Sequence, residues 1–277
     1  MEPTRRGVLR GIGAGTAVLV VGSGTAAAQD DEGDGDAKVR VAHASPDAPN
    51  VDVFVDDEKV LEDVPYTTVS GYLELPADAY EVTIAAASDA EEPDDAETVV
   101  FQEDVTFEGE DYTVAAIGEL EPDVSDEEFR VAVYEDSLGV LDEDTGRVRI
   151  VHASPDGPPV DVRVVDDDGA TVLTLAEDIE FSEASENVEA ESGTYSVAVF
   201  PTGADEDLDE AVFGPIDVEV RDGEVLTVFA MGFITEDEEP EFELVTADEE
   251  AAPFGRGGGR GRGPPEDADD CDTDSDH

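Results

Sequence analysis

Two stretches of the sequence contain the residue types that most often carry out chemistry in proteins. They read VAHASPDAPNVDV at residues 41–53 and IVHASPDGPPVDV at residues 150–162. Histidine and aspartate at a repeated spacing can bind a metal ion, transfer protons or form buried hydrogen bonds. The candidate site residues are His43, Asp47 and Asp52 in the first stretch and His152, Asp156 and Asp161 in the second.

The surrounding residues favour buried hydrogen bonding over a metal site. Each stretch offers one histidine and no cysteine, so a closed metal site would need further carboxylate ligands that the sequence does not identify. His43 alternates with Val39 and Val41 along a strand, so its ring points toward the core at the strand end. There it needs a partner such as a carbonyl or Asp52. Asp47 can accept hydrogen bonds in the following turn. We therefore expect a structural motif, with no metal and no cofactor.

Catalysis by the motif is a weaker alternative. Ser45 stands close to His43 and Asp47, but it precedes Pro46 in a turn, which does not predict a triad geometry. The sequence has no Gly-x-Ser-x-Gly elbow, no phosphate-binding loop and no dinucleotide fingerprint. We expect no enzyme and assign no catalytic residue. A metal-binding protein or a metal-dependent hydrolase that uses the repeated motif remains the alternative function.

The motif marks an internal repeat of about 100 residues. The starts of the two copies align at an offset of 109 residues, the middles at 115 and the ends at about 114, so insertions fall in loops. The predicted organisation is a twin-arginine signal peptide (1–28), an acidic leader (29–36), a first domain (37–137), a linker (138–146), a second domain (147–247) and a tail (248–277). The sequence leaves open whether the domains share an interface.

Apolar residues alternate with polar residues along most of both copies. Segments such as YEVTIAA, YTVAAIG and FRVAVYE have the period of two that predicts strands, and turn signals separate them. About seven short strands in each copy predict an all-β fold of two tandem β-sandwich domains. The immunoglobulin pattern of cysteine and tryptophan is missing, so the domains are immunoglobulin-like or transthyretin-like in architecture only.

Negative charge dominates the composition. The chain has 75 acidic and 14 basic residues, a formal net charge of −61, and yet 39% of its residues are hydrophobic. Acids that alternate with core-forming residues predict a folded protein with an acidic surface. Such a surface suits very high salt, where self-repulsion is screened, and this indicates a halophilic, archaeal host. Because phosphates would be repelled, we expect no nucleic-acid partner.

Residues 1–28 resemble an export signal. Arg5 and Arg6 form a twin-arginine pair, residues 11–29 carry no charge, and Ala26–Ala28 suit a signal peptidase. The run is rich in small residues and weakly apolar, which favours a removed signal over a membrane anchor. We expect a mature chain that begins near Gln29, lies outside the membrane, and is extracellular or on the cell surface.

The C-terminal tail differs from the two copies. Residues 248–277 combine a Gly/Arg-rich run with a strongly acidic end, neither of which can form a core, so we expect disorder at both termini. The single cysteine, Cys271, lies in this tail and allows no disulfide within the chain. A Cys271-linked dimer is an alternative to an unpaired thiol.

Both copies resemble the family described as domain of unknown function 4397. The resemblance rests on VRVAHASPDAPNVDVFVDD followed by VPYTTVSGYLELPADAYEVTI and covers about 200 of the 277 residues. The second copy departs from it at DGPP and at Asn187, which stands where the first copy has Tyr72, and Asp78 replaces an expected glycine. The resemblance implies secreted or cell-surface proteins without an established activity.

These observations predict an exported, non-catalytic binding or structural module. Its expected partners are a cell-envelope glycoprotein, a polysaccharide or another surface protein. Tyr66 and Tyr72 are candidates for an aromatic binding face, with core packing as the alternative for each. A calcium-stabilised adhesin is a weaker hypothesis.

The acidic composition leads to a first prediction. Lowering the salt from about 1 M to about 0.1 M KCl lengthens the Debye length from about 3 Å to about 10 Å, so repulsion between surface carboxylates grows. We expect the melting temperature, followed by circular dichroism, to fall markedly over this range. An unchanged melting temperature would contradict a halophilic fold.

Overall fold

The strands follow the predicted alternation. A computed structural model describes residues 19–21, 35–204, 208–235 and 237–250 of the chain, and within them the fold is all-β. A short strand comes first, β1 (Leu19–Val21). The first copy forms β2 (Ala37–Ala44), β3 (Val51–Val55), β4 (Glu58–Val64), β5 (Leu73–Leu75), β6 (Asp78–Ala86), β7 (Val99–Phe107), β8 (Asp111–Ile117) and β9 (Arg130–Asp136).

The second copy forms eight strands in the same sequence. They are β10 (Thr145–His152), β11 (Val160–Val165), β12 (Thr171–Ile179), β13 (Val188–Glu191), β14 (Gly193–Pro201), β15 (Phe213–Val220), β16 (Glu224–Met231) and β17 (Glu243–Glu250). Two 3-10 turns, Pro93–Asp95 and Leu208–Glu210, lie in loops. The predicted terminal signal, leader and tail, Cys271 included, lie outside the described residues apart from β1 and residues 35–36 and 248–250. No helix in the described ranges is long and apolar enough to cross a bilayer.

Four sheets form two β-sandwiches, which confirms the predicted fold class. In the first sandwich the inner sheet has the order β5-β2-β8-β9, with β1 paired in parallel to β9 as a fifth strand, and the outer sheet has the order β4-β3-β6-β7. The second sandwich repeats both, as β13-β10-β16-β17 and β12-β11-β14-β15. In each inner sheet the motif strand pairs in parallel, β2 with β8 and β10 with β16. Each sandwich has eight strands rather than about seven, because β5, of three residues, is too short for a period to show.

Alternation along β2 separates two cores. Val39 belongs to the core between the two sheets of the first sandwich, together with Val82, Ile84 and Phe101 from the outer sheet. Ala42, on the opposite face of β2, belongs to a different core. The side chains therefore divide as the period of two predicts.

This other core joins the two sandwiches. The faces of the two inner sheets that point away from the outer sheets pack against each other, so the central strands of both inner sheets are buried on both faces. The small size of the alanines lets the sheets approach closely. The buried residues are Ala42, Ala44, Ala115, Ile117, Ala132 and Tyr134 from the first sandwich and Val151, Ala153, Phe229, Met231 and Ala247 from the second.

One end of this interface is polar. Asp136 accepts a hydrogen bond from Arg149 of the second sandwich at 2.5 Å and lies 3.7 Å from Arg40 of its own sandwich. Arg40 donates to the hydroxyls of Thr113 at 2.8 Å and Thr227 at 2.9 Å. All five side chains are nearly inaccessible to solvent. A single carboxylate therefore holds guanidinium groups from both sandwiches.

We predict that Asp136→Asn destabilises both sandwiches together. Removing one partner of a buried ion pair leaves the other charge uncompensated, so the free energy of unfolding should fall by about 3–5 kcal/mol in chemical denaturation at high salt. The matched control is Glu219→Gln, which breaks an exposed pair with Arg221. A surface pair contributes about 0–1 kcal/mol. Equal effects of the two substitutions would contradict a structural role for the shared carboxylate.

Candidate functional site

His43 is the penultimate residue of β2, and its side chain is fully buried. Its Nε2 lies 3.0 Å from the carbonyl oxygen of Pro49. A carbonyl oxygen can only accept, so Nε2 carries the proton and the ring is a donor at this position. None of the described residues donates to Nδ1. The ring meets the edge of Tyr66 at a centroid distance of 6.1 Å and an angle of 89°.

His152 repeats this arrangement in the second sandwich. Its Nε2 lies 3.0 Å from the carbonyl oxygen of Pro158, and the Ser154 N–H donates to Nδ1 at 3.4 Å. Phe181 takes the place of Tyr66 against the ring, with centroids 6.4 Å apart. Gly157 accounts for the departure of the second copy at DGPP. A Cβ atom there would lie 2.7 Å from Cε1 of His152, closer than side chains pack.

Both rings are held in the neutral form. Burial lowers the pKa of His43 and outweighs the hydrogen bond to Pro49, which acts to raise it. Burial likewise lowers the pKa of His152 against the opposing effects of the Pro158 carbonyl and Asp156. Each histidine therefore bridges the turn to a carbonyl oxygen and does not bond to Asp52 or Asp161.

Asp47 ties the motif to the loop that follows β8. Its two carboxylate oxygens accept from the N–H groups of Leu120 at 2.8 Å and Glu121 at 2.7 Å. Ser45 reinforces the same link, because its hydroxyl donates to the carbonyl of Gly118 at 2.6 Å. The partner amides therefore belong to a distant loop and not to the turn in which Asp47 itself lies.

Asp156 binds the equivalent loop after β16. It accepts from the N–H groups of Ile234 at 2.9 Å and Thr235 at 2.8 Å. Burial acts to raise the pKa of Asp156, but hydrogen bonds from these residues and from Ser154 outweigh it and lower the pKa. The carboxylate is therefore ionised and fully engaged with its own chain.

Asp52 anchors a third segment of the first sandwich. Its oxygens accept from the N–H of Asp63 at 2.9 Å, the N–H of Ser88 at 3.0 Å and Nζ of Lys59 at 3.0 Å. Burial acts to raise the pKa of Asp52, and these three donors together lower it. Asp63 has a φ of 50°, so the amide that it donates stands at an irregular point of β4.

Asp161 has the same role with a different cation. It accepts from the N–H of Asp178 at 2.8 Å and from Arg163 at 2.8 Å. Asp178 has a φ of 51°, matching Asp63. Arg163 comes from the same strand as Asp161, whereas Lys59 comes from the neighbouring strand of its sheet.

The geometry leaves the motif little capacity for other chemistry. His43 donates a hydrogen bond to the Pro49 carbonyl, and Asp47 accepts from the loop after β8. Asp52 accepts from an amide of β4 and from Ser88. Ser45 donates to a carbonyl rather than to a histidine. Among the residues with described placement, no group of three or more histidine, cysteine, aspartate or glutamate side chains could hold a metal ion. The arrangement joins three loops of each sandwich by hydrogen bonds.

The two tyrosines proposed as a binding face lie near the boundary between the sandwiches. Tyr66 packs against the core that the inner sheets share. Tyr72 donates to Asp136 at 2.5 Å, and the Arg40 guanidinium lies 5.0 Å from the centre of its ring. Burial and the neighbouring Asp136 raise the pKa of Tyr72 well above its usual range, so the phenol stays a donor.

Sequence reasoning missed the polar end of the interface. The sequence does contain a pattern that could have predicted it. Arg40 and Arg149 occupy the same position in VRVAH and VRIVH, on the face of the strand opposite His43 and His152. An arginine repeated on an otherwise apolar strand face indicates a buried ion pair. The acceptor, Asp136, lies about a hundred residues from Arg40 and has no sequence pattern of its own.

The neutral histidines lead to a pH prediction. Their folded pKa lies below the unfolded value of about 6.5, so the unfolded chain binds more protons as the pH falls. Stability is fully present above the unfolded pKa and falls below it, by up to about 1.4 kcal/mol per pH unit for each histidine.

We expect His43→Gln/His152→Gln to remove this dependence, because glutamine can donate to the proline carbonyl without titrating. The stability advantage of the unaltered protein over the variant should shrink from pH 7.5 to 5, measured by denaturant unfolding at constant salt. His277→Gln, at the remaining histidine, is the control and should retain the full dependence. A constant difference across the range would contradict neutral, buried rings.

Comparison with solved structures gives weak similarities. The Bacillus anthracis TIE protein is 12% identical at a TM-score of 0.23, and the match covers 71% of this chain and only 34% of that one. GBS52, the minor pilin of Streptococcus agalactiae, is 10% identical at a TM-score of 0.21, and the match covers 73% of this chain and 98% of GBS52. The tip fimbrial protein Mfa3 of Porphyromonas gingivalis is 10% identical at a TM-score of 0.18, and the match covers 78% of this chain and 99% of Mfa3.

The family comparison is more informative about the first sandwich. No curated protein matches the chain significantly. A family model matches from the start of β2 into β11 and so includes both His-Ala-Ser-Pro-Asp runs. Residues 37–163 thus match the family described as domain of unknown function (DUF4397), the family that the motif resembles.

Proposed function

We propose that the chain is an exported, non-catalytic module that works at the cell surface or in the medium of a halophile. The observation that carries the proposal is the complete use of the repeated motif in holding each sandwich together. The residue types best suited to catalysis bond to backbone groups or to internal cations. Any partner would therefore contact the protein through its surface and not through the repeated motif.

The rigidity of the pair supports a binding or structural role. The sandwiches share a buried apolar core and a buried ion-pair cluster, so the two outer sheets are held at opposite sides of one body. A fixed separation between two surfaces suits a protein that spaces or joins partners. Two apolar cavities lie against the sandwich cores; their linings are aliphatic apart from Tyr195 in one and Phe107 in the other, so neither has converging charged groups.

The acidic surface narrows the class of partner. Exposed strands and loops are rich in aspartate and glutamate, and the net charge of −61 repels phosphate polymers. Hydroxyl groups of a polysaccharide or glycoprotein can bond to carboxylates, and another surface protein can contact them through cations. Val172, 61% exposed on β12, provides an adjacent apolar contact. We place the binding surface on the outer sheets.

Export can be tested directly. We expect the unaltered chain to be found outside the cytoplasm of a halophilic host with an N-terminus near Gln29, by fractionation and mass spectrometry. Arg5→Lys/Arg6→Lys should leave the full-length chain inside the cell, because the twin-arginine pair is the signal that directs export. Arg10→Lys, outside the pair, is the control and should be exported. Cytoplasmic location of the unaltered chain would overturn the proposal.

Binding can be tested with the exported protein. We expect it to sediment with envelope fragments of the host at high salt, and Val172→Asp to sediment less while unfolding at the same temperature. Thr174→Asp, on the same edge strand, is the control for added charge. Absence of sedimentation for the unaltered protein would argue against an envelope partner.

A further inference from the structure

Strand β9 combines two properties that rarely occur together. It is the last strand of the first sandwich at its end of the inner sheet, yet residues 131–134 are buried on both faces. Val131 and Val133 belong to the core of the first sandwich, and Ala132 and Tyr134 belong to the core between the sandwiches. Residues 131–134 form an uncharged stretch within β9, and an uncharged edge with exposed backbone groups readily pairs with another strand.

The equivalent edge of the second sandwich is different. β17 reads ELVTADEE and begins and ends with acids. Leu244 and Val245 are only partly buried, and Thr246 is exposed. Charges and exposure of this kind discourage pairing at an edge. The apolar, two-sided burial is therefore particular to β9.

A partner for this edge is already present in the structure. β1 adds to β9 as a parallel fifth strand, with Leu19 opposite Val131, Val20 opposite Ala132 and Val21 opposite Val133. Its residues come from the run 11–29, the longest uncharged run in the chain. In a chain with 75 acidic residues, few other segments could approach β9 without bringing carboxylates to an apolar edge.

We propose that the edge of β9 is a strand-binding surface whose occupant is the chain's own N-terminal run. The full-length chain covers the edge with residues 19–21, and removal of residues 1–28 uncovers it. The second part of the inference rests on the proposed export, since only cleavage separates β1 from the body. The full-length and processed proteins then differ in the surface of the first sandwich as well as in length.

Hydrogen exchange with mass spectrometry tests the pairing at the backbone. The full-length chain is retained by Arg5→Lys/Arg6→Lys and compared with the same chain carrying Val20→Pro, and with the processed protein, all at high salt. Proline removes an N–H and disfavours a strand at that position. In the retained chain, the alternate amides of residues 130–136 that face β1 should be protected. They should lose that protection both with Val20→Pro and after processing.

Two controls separate this effect from general unfolding. Val20→Ile, which keeps a β-branched residue, should retain the protection. Exchange in β14 and β15 of the second sandwich should be unchanged in every variant. Equal exchange of residues 130–136 in the retained chain, the Val20→Pro variant and the processed protein would overturn the inference.

The outcome can be separated from that of the export experiment. Loss of β9 protection with Val20→Pro, in a chain that proves not to be exported, would support the pairing and refute only the processing. Normal export of a chain whose β9 amides exchange freely before cleavage would refute the pairing alone.

Discussion

The contact between the two inner sheets constrains the rest of the molecule. Because the inner sheets pack on an outer sheet on one side and on each other on the other, β2, β8, β10 and β16 are largely buried on both faces, and polar side chains there, such as Arg40 and Arg149, have internal partners. β16 is buried at every residue. Most of the charges that cover the chain therefore lie on the outer sheets, the edges and the loops. A protein with a net charge of −61 keeps a core because few acids enter the central layers, and Asp136 and Glu224, which do, are paired with arginines.

The same constraint decides where the rare cations lie. The described residues contain eight lysines and arginines, and four of them act at the boundary between the sandwiches. Arg40 and Arg149 bind Asp136 and the threonines, Arg147 donates to the carbonyl of Ser137, and Arg130 lies over the ring of Phe181. Lys59 and Arg163 neutralise Asp52 and Asp161. Six of the eight described cations therefore contact groups of the interior or of the boundary between the sandwiches.

The sequence predicted local structure better than it predicted contacts. The period of two placed Val39 and His43 on one face of β2 and Arg40 and Ala42 on the other, and the turn residues separated the strands. It could not show what Arg40 and Ala42 pack against, because their partners lie far away in sequence: Arg40 bonds to Thr113 of its own copy and Thr227 of the other, and Ala42 shares a core with the other copy. Asp47 was expected to bond within its own turn, whereas its amide partners lie 73 and 74 residues further on. Periodicity reports which face a residue occupies, and tertiary pairing decides what that face meets.

The differences between the two motifs show what the repeat preserves. In the second copy Phe181 replaces Tyr66 and Gly157 replaces Ala48. The cation that binds Asp161 is Arg163 of the same strand, whereas Lys59 of the neighbouring strand binds Asp52. The backbone groups that receive or donate the bonds nevertheless correspond: a proline carbonyl for each histidine, two loop amides for each first aspartate and one amide at positive φ for each second aspartate. A catalytic or metal site requires particular side-chain atoms at particular places. A motif that keeps its backbone partners while its neighbouring side chains vary is what hydrogen bonds that fix the shape of the turn produce.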